Sequence, residues 1–292
     1  FEETKKEAAA LNVGVAGSEI VGIVPLEALL MAAEHYIERE NLFVLDEDQK
    51  IRLAIERLGL NSVAPFNPHE RVIEYIVGEP PDEPLAGLSL RSFIEAVAAR
   101  SSAPGGGSVS AAMAAMGTGL GAMGAKLTYG LRKFEELDAK MRKIIRPLHD
   151  LSHRLIPMID ADTNAFKDYQ KALSLPKSTD VEKQIRKAQM QEGLKTAIWV
   201  PLTTMQLGDR AWEAMIAAAR YGNIACKSDI QVGARALETG IWGAYQNVLI
   251  NMLGITDDTF RADILREAEA LAENARQRCG EVLDILETRQ DG

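Results

Sequence analysis

The sequence predicts a mainly helical protein, an up-and-down bundle over residues 88–292 preceded by a partial α/β fragment over residues 1–77. Three observations carry that expectation. From Ser89 onward apolar residues recur at helical spacing in long segments separated by short stop signals, the pattern of helices joined by tight turns. Only two segments, 12–24 and 71–77, hold enough β-branched residues to read as strands. Between the two parts "GEPPDEPLAG", residues 78–87, packs three prolines, two glycines and three acids, which supports neither helix nor sheet and marks a linker.

In chain order, "NVGVAGSEIVGIV" (12–24) reads as a strand, and Pro25 opens an amphipathic helix with Leu26, Leu29, Leu30, Ala33 and Ile37 on one side. Asp46 is placed to cap a second helix carrying Ile51, Ile55 and Leu58, and "RVIEYIV" (71–77) reads as a further strand. A two-strand fragment of this size is marginal alone. Beyond the linker the expected helices run near 90–100, 108–131, 134–156, 157–174, 181–220, 224–253 and 257–288. Gly130, "LPKS" (175–178), "YGN" (221–223) and Gly254 stop them, and Thr256 or Asp257 caps the last.

The 292 residues carry a net charge of -9, which argues against a nucleic-acid surface, because phosphate binding needs clustered Lys and Arg. The most apolar window, 109–125, is mostly Ala and Gly and falls short of the roughly 20 residues that span a bilayer, so no membrane segment is expected. Cys226 and Cys279 lie far apart without a CxxC partner, which argues against a disulfide framework and makes a reducing cytoplasm the expected compartment. The start, "FEETKKEAAA", has neither a basic opening nor an apolar signal core. Beginning at Phe1, the chain is expected to be part of something longer.

Four local patterns bear on chemistry. Gly119, Gly121 and Gly124 match GxGxxG, but the run has no strand before it, so close helix packing is the better reading. His149 and His153 are four apart on a helix, yet no third ligand, HExxH or cysteine cluster accompanies them, so no metal is expected. "SSAPGGGS" (101–108) makes a loop able to take positive φ, with Ser108 placed to cap the next helix. It is either a tight turn or an anion site at a helix start. "YGNIACKSDIQ" (221–231) gathers Asn223, Lys227, Ser228 and Asp229 at a turn between apolar helices, as caps or as ligand contacts.

A fifth pattern is "MIDADTNAF" (158–166). Steps of three and four give Leu155, Ile159, Asp162, Phe166, Tyr169 and Leu173, an apolar seam with one charge in it. Asp160 is about 200 degrees away from Asp162 around a helix and is expected on the wet face with His153, Asn164 and Lys167. A buried carboxylate is either locked in an ion pair or kept for proton transfer. Pro157 either kinks this helix or begins it.

"SLRSFIEAVAARSSAPGGGSVSAAMAAMG", "LTYG", "DADTNAF", "LPK", "VPLT", "GNIACKSD", "GAYQNVLIN" and "LETRQ" together resemble formimidoyltransferase-cyclodeaminases. Residues 85–292 look like a complete cyclodeaminase domain, whose helical fold is shared with methenyltetrahydrofolate cyclohydrolases. The opening, with "GSEIVGIVPLEALL", "ENLFVL" and "PHERVIEYIV", is similar to the last part of the formimidoyltransferase region. Lys126 and Pro157 depart from the family pattern. The resemblance implies an ammonia-lyase of histidine degradation and one-carbon metabolism. It converts 5-formimidoyltetrahydrofolate to 5,10-methenyltetrahydrofolate and ammonia without redox cofactor or metal. The parent protein is then also a glutamate formimidoyltransferase, with its catalytic half absent here. The second Asp of the DAD segment, Asp162, becomes the acid-base residue, and Gly105, Gly106, Ser108, Asn223, Ser228 and Asp229 line the folate pocket. The implied partners are a polyglutamylated folate substrate and a second copy, in a homodimer within a larger homo-oligomer. The alternatives are a cyclohydrolase of the same fold and a non-catalytic helical assembly module.

Overall fold

The computed structural model describes residues 1–77 and 84–289. The chain divides into two compact units, Phe1–Asp82 and Glu83–Gly292; residues 78–83 of the expected linker lie outside the described residues, and 84–87 form a turn.

The first unit contains α1 (Glu2–Ala10), α2 (Leu26–Arg39), α3 (Glu47–Leu58), α4 (Pro68–Arg71) and α5 (Ile73–Val77). Its core sets Leu29 and Ala33 of α2 against Ile51, Ala54 and Ile55 of α3, with Leu60 and Val72 alongside. Gly59, at φ 64, ends α3 in the left-handed region that a side chain would oppose. Neither expected strand forms among the described residues. Residues 13–24 meet a partner at one parallel bridge, Val24 to Val72. There Val24 N–H donates to the Arg71 carbonyl at 2.8 Å and Ile73 N–H to the Val24 carbonyl at 3.0 Å. β-branched residues favour a strand where a neighbour supplies the rest of the ladder. With a single bridge available, Ile73–Val77 takes its hydrogen bonds locally as helix.

The second unit is helical throughout its described length. It contains α6 (Leu90–Ala98), α7 (Gly106–Lys126), α8 (Asp138–Leu155), α9 (Met158–Leu173), α10 (Asp180–Asp209), α11 (Trp212–Tyr221), α12 (Lys227–Met252) and α13 (Asp258–Thr288). Helix α7 is the central element, touching α8, α9, α10, α11 and α12. Around it Leu148, Leu155, Ile198, Leu202, Trp212, Met215, Ile241 and Val248 are buried. Thr179 and Glu182 form a capping box at the start of α10, and Asp257 accepts from Phe260 N–H to cap α13.

Several boundaries differ from expectation: α7 ends at Lys126 rather than 131, a 3-10 helix, Arg132–Leu137, precedes α8, and two further differences lie later in the chain. The single helix expected over 181–220 is two, because Ala211 N–H closes a short turn onto the Gly208 carbonyl at 3.0 Å and Trp212 then buries its ring. The nearby Gly208 lies inside α10, packed against Ile241, and so does not by itself mark the break. The helix expected from 224 opens with a 3-10 turn, Ile224–Cys226, before α12.

Helices α7 and α12 run antiparallel, and small residues set their distance. A Cβ on Gly124 would press on Ile230, and one on Gly117 would lie 2.5 Å from Leu237 N; Gly240 is that close to Ala114 N and Gly243 to the Ser110 hydroxyl. Of the GxGxxG glycines only Gly124 belongs to this packing; Gly119 faces Ser152 of α8, and Gly121 lies against Met215 of α11 and Leu148 of α8. Contacts this short forfeit any larger side chain.

Candidate active site

Helix α8 ends where Pro157 withholds a backbone donor, and Pro157 then stands before the first turn of α9. Ala161 N–H donates to the Pro157 carbonyl at 3.1 Å. The proline therefore separates two helices and leaves α9 straight through both aspartates.

The two carboxylates of that first turn have different surroundings, and one contradicts the helical-wheel reading. Asp160, expected on the wet face, is 4% exposed. Its oxygens accept from Leu85 N–H at 2.8 Å and Ala86 N–H at 2.9 Å. The turn at 84–87 covers a side of α9 that an isolated helix would leave to water, and it supplies two backbone donors to the charge. Asp162 is half-buried and lies against the first turn of α7. A Cβ on Gly107 would stand 1.9 Å from its Oδ1, so glycine alone admits the carboxylate there.

Its described hydrogen-bond partners both come from Ser108. The Ser108 hydroxyl is 3.2 Å from Asp162 Oδ2, and the Ser108 backbone N–H also donates to the carboxylate. Burial pushes Asp162 above the ordinary aspartate range, while those two Ser108 donors pull it back. The start of α7 is an anion site, and its anion is the protein's own aspartate, supported by the helix dipole.

Three expectations for the glycine loop change. Helix α7 starts at Gly106 with Gly105 as N-cap, so Ser108 lies inside the helix and does not cap it. Its side chain is fully buried and points across to α9. Positive φ is found at Gly22, Gly59 and Gly130 and not at residues 105–107. Gly105 and Gly106 leave room for a Cβ, which would meet Ser102 O at 3.9 Å and Asn247 Nδ2 at 3.5 Å. Gly107, absent from the expected site, is the residue whose size matters.

The polar island is elsewhere. Asn223 N–H donates to the Thr128 hydroxyl at 2.7 Å, just past the C-terminal end of α7, and Asn223 Oδ1 accepts from Ala225 N–H at 3.1 Å. Ser228 and Asp229 follow in the first turn of α12. A 21-residue helix is about 30 Å long, so Asn223, Ser228 and Asp229 are a full helix length from Asp162 in the same chain. The structure brings Gly105, Gly106 and Ser108 to Asp162 and keeps the other three apart. It adds Gly107, Thr163 and Asn247, whose Nδ2 donates to the Gly243 carbonyl at 2.8 Å. The triple glycine and "QNVLIN" were visible as sequence signals for two of these.

Two surface hollows flank α9. One of about 590 Å³ is lined by Asp168, Lys171, Gln189 and Glu192, and one of about 220 Å³ by Leu85, Phe93, Met116 and Ile159. Neither is lined by Asp162. Along α7, Ala112, Met113, Leu120 and Met123 are half-covered and Met116 is exposed, an apolar stripe directed away from the bundle core. His149 and His153 lie one turn apart on α8 with ring centroids 4.5 Å apart and planes tilted by 56°. Cys226 and Cys279 are free and buried.

A family model described as formiminotransferase-cyclodeaminase matches residues 89–270, and one described as formiminotransferase domain matches residues 1–78. The formimidoyltransferase-cyclodeaminase of Sus scrofa is 50% identical over 291 residues, covering 99% of this chain and 54% of that protein. The methenyltetrahydrofolate cyclohydrolase of Methylorubrum extorquens is 34% identical over 187 residues, which is 64% of this chain and 90% of that one. Among solved structures, a formiminotetrahydrofolate cyclodeaminase from Thermotoga maritima superposes with a TM-score of 0.62 at 28% identity, covering 69% of this chain and 96% of that one. The chain spans about half the length of the curated formimidoyltransferase-cyclodeaminases it matches. It belongs to the formiminotransferase-cyclodeaminase family.

Proposed function

We propose that this family member closes the ring of 5-formimidoyltetrahydrofolate to give 5,10-methenyltetrahydrofolate and ammonia, with Asp162 as the proton carrier. The observation that carries the reading is a half-buried carboxylate held, among the described residues, by Ser108 at a helix start, with its proton affinity raised by burial. When N10 attacks the formimidoyl carbon, a C–N bond forms and N10 must lose a proton. When the amino group departs, its C–N bond breaks and the leaving nitrogen must gain one. With the substrate entering as the amidinium cation, one proton moves from N10 to ammonia and the methenyl cation remains. A single carboxyl accepts and returns that proton. No hydride moves, so the balance requires no redox cofactor.

The substrate contacts assigned to Gly105 and Gly106 belong to the near end of α7. Asn223, Ser228 and Asp229 reach the same substrate when a second copy lays its α7 antiparallel to the first, on the stripe of Ala112, Met116, Leu120 and Met123. We therefore place the working unit in a homodimer, within a larger homo-oligomer, acting on a polyglutamylated folate. Residues 1–77 are assigned to the end of the formimidoyltransferase domain and 88–292 to the cyclodeaminase domain. Among the described residues no helix is long and apolar enough to cross a membrane, and the buried thiols suit a reducing cytoplasm.

Hydrolysis of the methenyl product is the second reading, favoured by the Methylorubrum extorquens relative. Separate incubation with each folate decides between them. Ring closure predicts methenyl absorbance and ammonia appearing together from the formimidoyl substrate. Loss of methenyl absorbance without ammonia supports hydrolysis.

A further inference from the structure

We infer that Ser108 and Thr163 are positioning residues that hold the Asp162 carboxyl in one place through both of its protonation states, and that Ser108 does not contact substrate. This rests on the reading of Asp162 as the proton carrier. Ser108 is fully buried and Thr163 is 5% exposed, so neither hydroxyl has a face open to a ligand. The Ser108 oxygen lies 2.8 Å from the Ile159 carbonyl, 3.2 Å from Asp162 Oδ2 and 3.1 Å from the Thr163 hydroxyl.

Counting protons gives the device. Ser108 has one hydrogen and two acceptors, Ile159 O and Asp162 Oδ2. With Asp162 ionised, Thr163 donates to Ser108 and Ser108 donates to the carboxylate. With Asp162 protonated, the acid donates to the Ser108 oxygen, which still accepts from Thr163, and the Ser108 proton turns to the Ile159 carbonyl. Each state leaves every hydroxyl hydrogen paired, and the change is a rotation about one C–O bond. A residue that must take a proton and give it back needs a partner able to reverse its role, and a fixed donor such as Lys or Arg lacks that ability.

The surrounding charges leave the pair in control. Helix α7 has no ionisable side chain before Lys126. On α9, Asp160 is bound to Leu85 and Ala86 N–H and Lys167 is exposed. His153 and Arg154 on α8 and Glu192 and Lys195 on α10 do not enter the balance at Asp162, which burial and Ser108 set.

The test follows the Asp162 carboxyl directly, by infrared or carbon NMR titration of the isotope-labelled full chain, beside the pH profiles of kcat and KM with the formimidoyl substrate. Ser108→Ala is expected to move the titration and the acidic limb of kcat upward by roughly one pH unit, with KM within about twofold. Thr163→Val moves both by a smaller amount in the same direction, and Thr163→Ser restores them. If Ser108→Ala does not fold, the Thr163 pair carries the test. An unmoved titration in Thr163→Val, or a rise in KM at constant kcat in Ser108→Ala, overturns the inference. A shifted titration in a protein inactive on the formimidoyl substrate upholds the pair and rejects the proposed reaction.

Discussion

The two ends of α7 are built from similar residues and behave differently. At the far end the polar groups close on one another: the Thr128 hydroxyl donates to the Gly124 carbonyl at 2.8 Å and accepts from Asn223 N–H at 2.7 Å. At the near end a carboxylate is pressed onto Gly107 and shares one serine proton with a competing carbonyl. A closed set of hydrogen bonds fixes structure, whereas a desolvated charge with a reversible partner is prepared for proton transfer. The proposed proton carrier accordingly sits at the end where the bonding is less complete.

The largest effect expected is that of Asp162→Asn, which keeps the shape and removes the proton carrier. Cyclodeaminase turnover should fall by about a thousandfold with helicity and oligomer size unchanged. The same variant should be more stable than the parent at neutral pH. Folding raises the proton affinity of Asp162, so the folded state holds more protons than the unfolded one, and stability is lost as pH climbs from the ordinary aspartate range to the raised folded value. Asparagine escapes that loss. The stability gap, read from thermal melts, should therefore grow with pH across that window and vanish below it.

Next in size is Gly107→Ala, which forces the carboxylate to move. A displacement near 1 Å costs about a hundredfold in kcat, and Gly280→Ala on α13, where a Cβ meets nothing within 4 Å, should be near neutral in the same assay. Equal effects of the two would remove Gly107 from the account. A complementation test sharpens the comparison at the level of the assembly. Mixing subunits of Asp162→Asn with a subunit inactivated at Asn223 or Asp229 should restore about a quarter of parent activity, because random pairing leaves one intact shared site in half of the dimers. No recovery from exchanged subunits would place the two ends in separate functions.

The smaller effects concern structure. Asp160→Asn replaces two acceptor oxygens with one, so Leu85 or Ala86 N–H loses its partner, and stability should drop by roughly 1–3 kcal/mol with a far smaller change in kcat than at Asp162. Thr128→Val at the far end should cost about 1 kcal/mol in melts and leave the Asp162 titration where it was.

These contrasts also mark what the sequence made legible. Apolar stripes and the Gly130, "LPKS" and Gly254 stops located the helices of the second unit, since those signals are local. The break at Ala211 was hidden because the nearby Gly208 lies inside α10 and the turn that follows closes onto a buried Trp212. Helical period put Asp162 on the inner side, where it is half-buried, and misplaced Asp160, whose cover comes from a turn 75 positions earlier. Three consecutive glycines announced a special backbone but not which one faces Asp162. That depends on the register of α7 against α9. The separation of Asn223 from Asp162 was implicit in the glycines of α7 and α12, which pair Gly124 with Ile230 and Ser110 with Gly243, but helix direction follows only once those contacts are matched.

The central claim is that one half-buried carboxylate moves the proton, and the pH profile of kcat for ring closure tests it most directly. Asp162 must be ionised to accept from N10, so the rate should fall as pH drops through a single group titrating above the ordinary aspartate value of 3.8, and the residual rate of Asp162→Asn should lack that limb. A limb that persists unchanged in a folded Asp162→Asn protein would contradict the account.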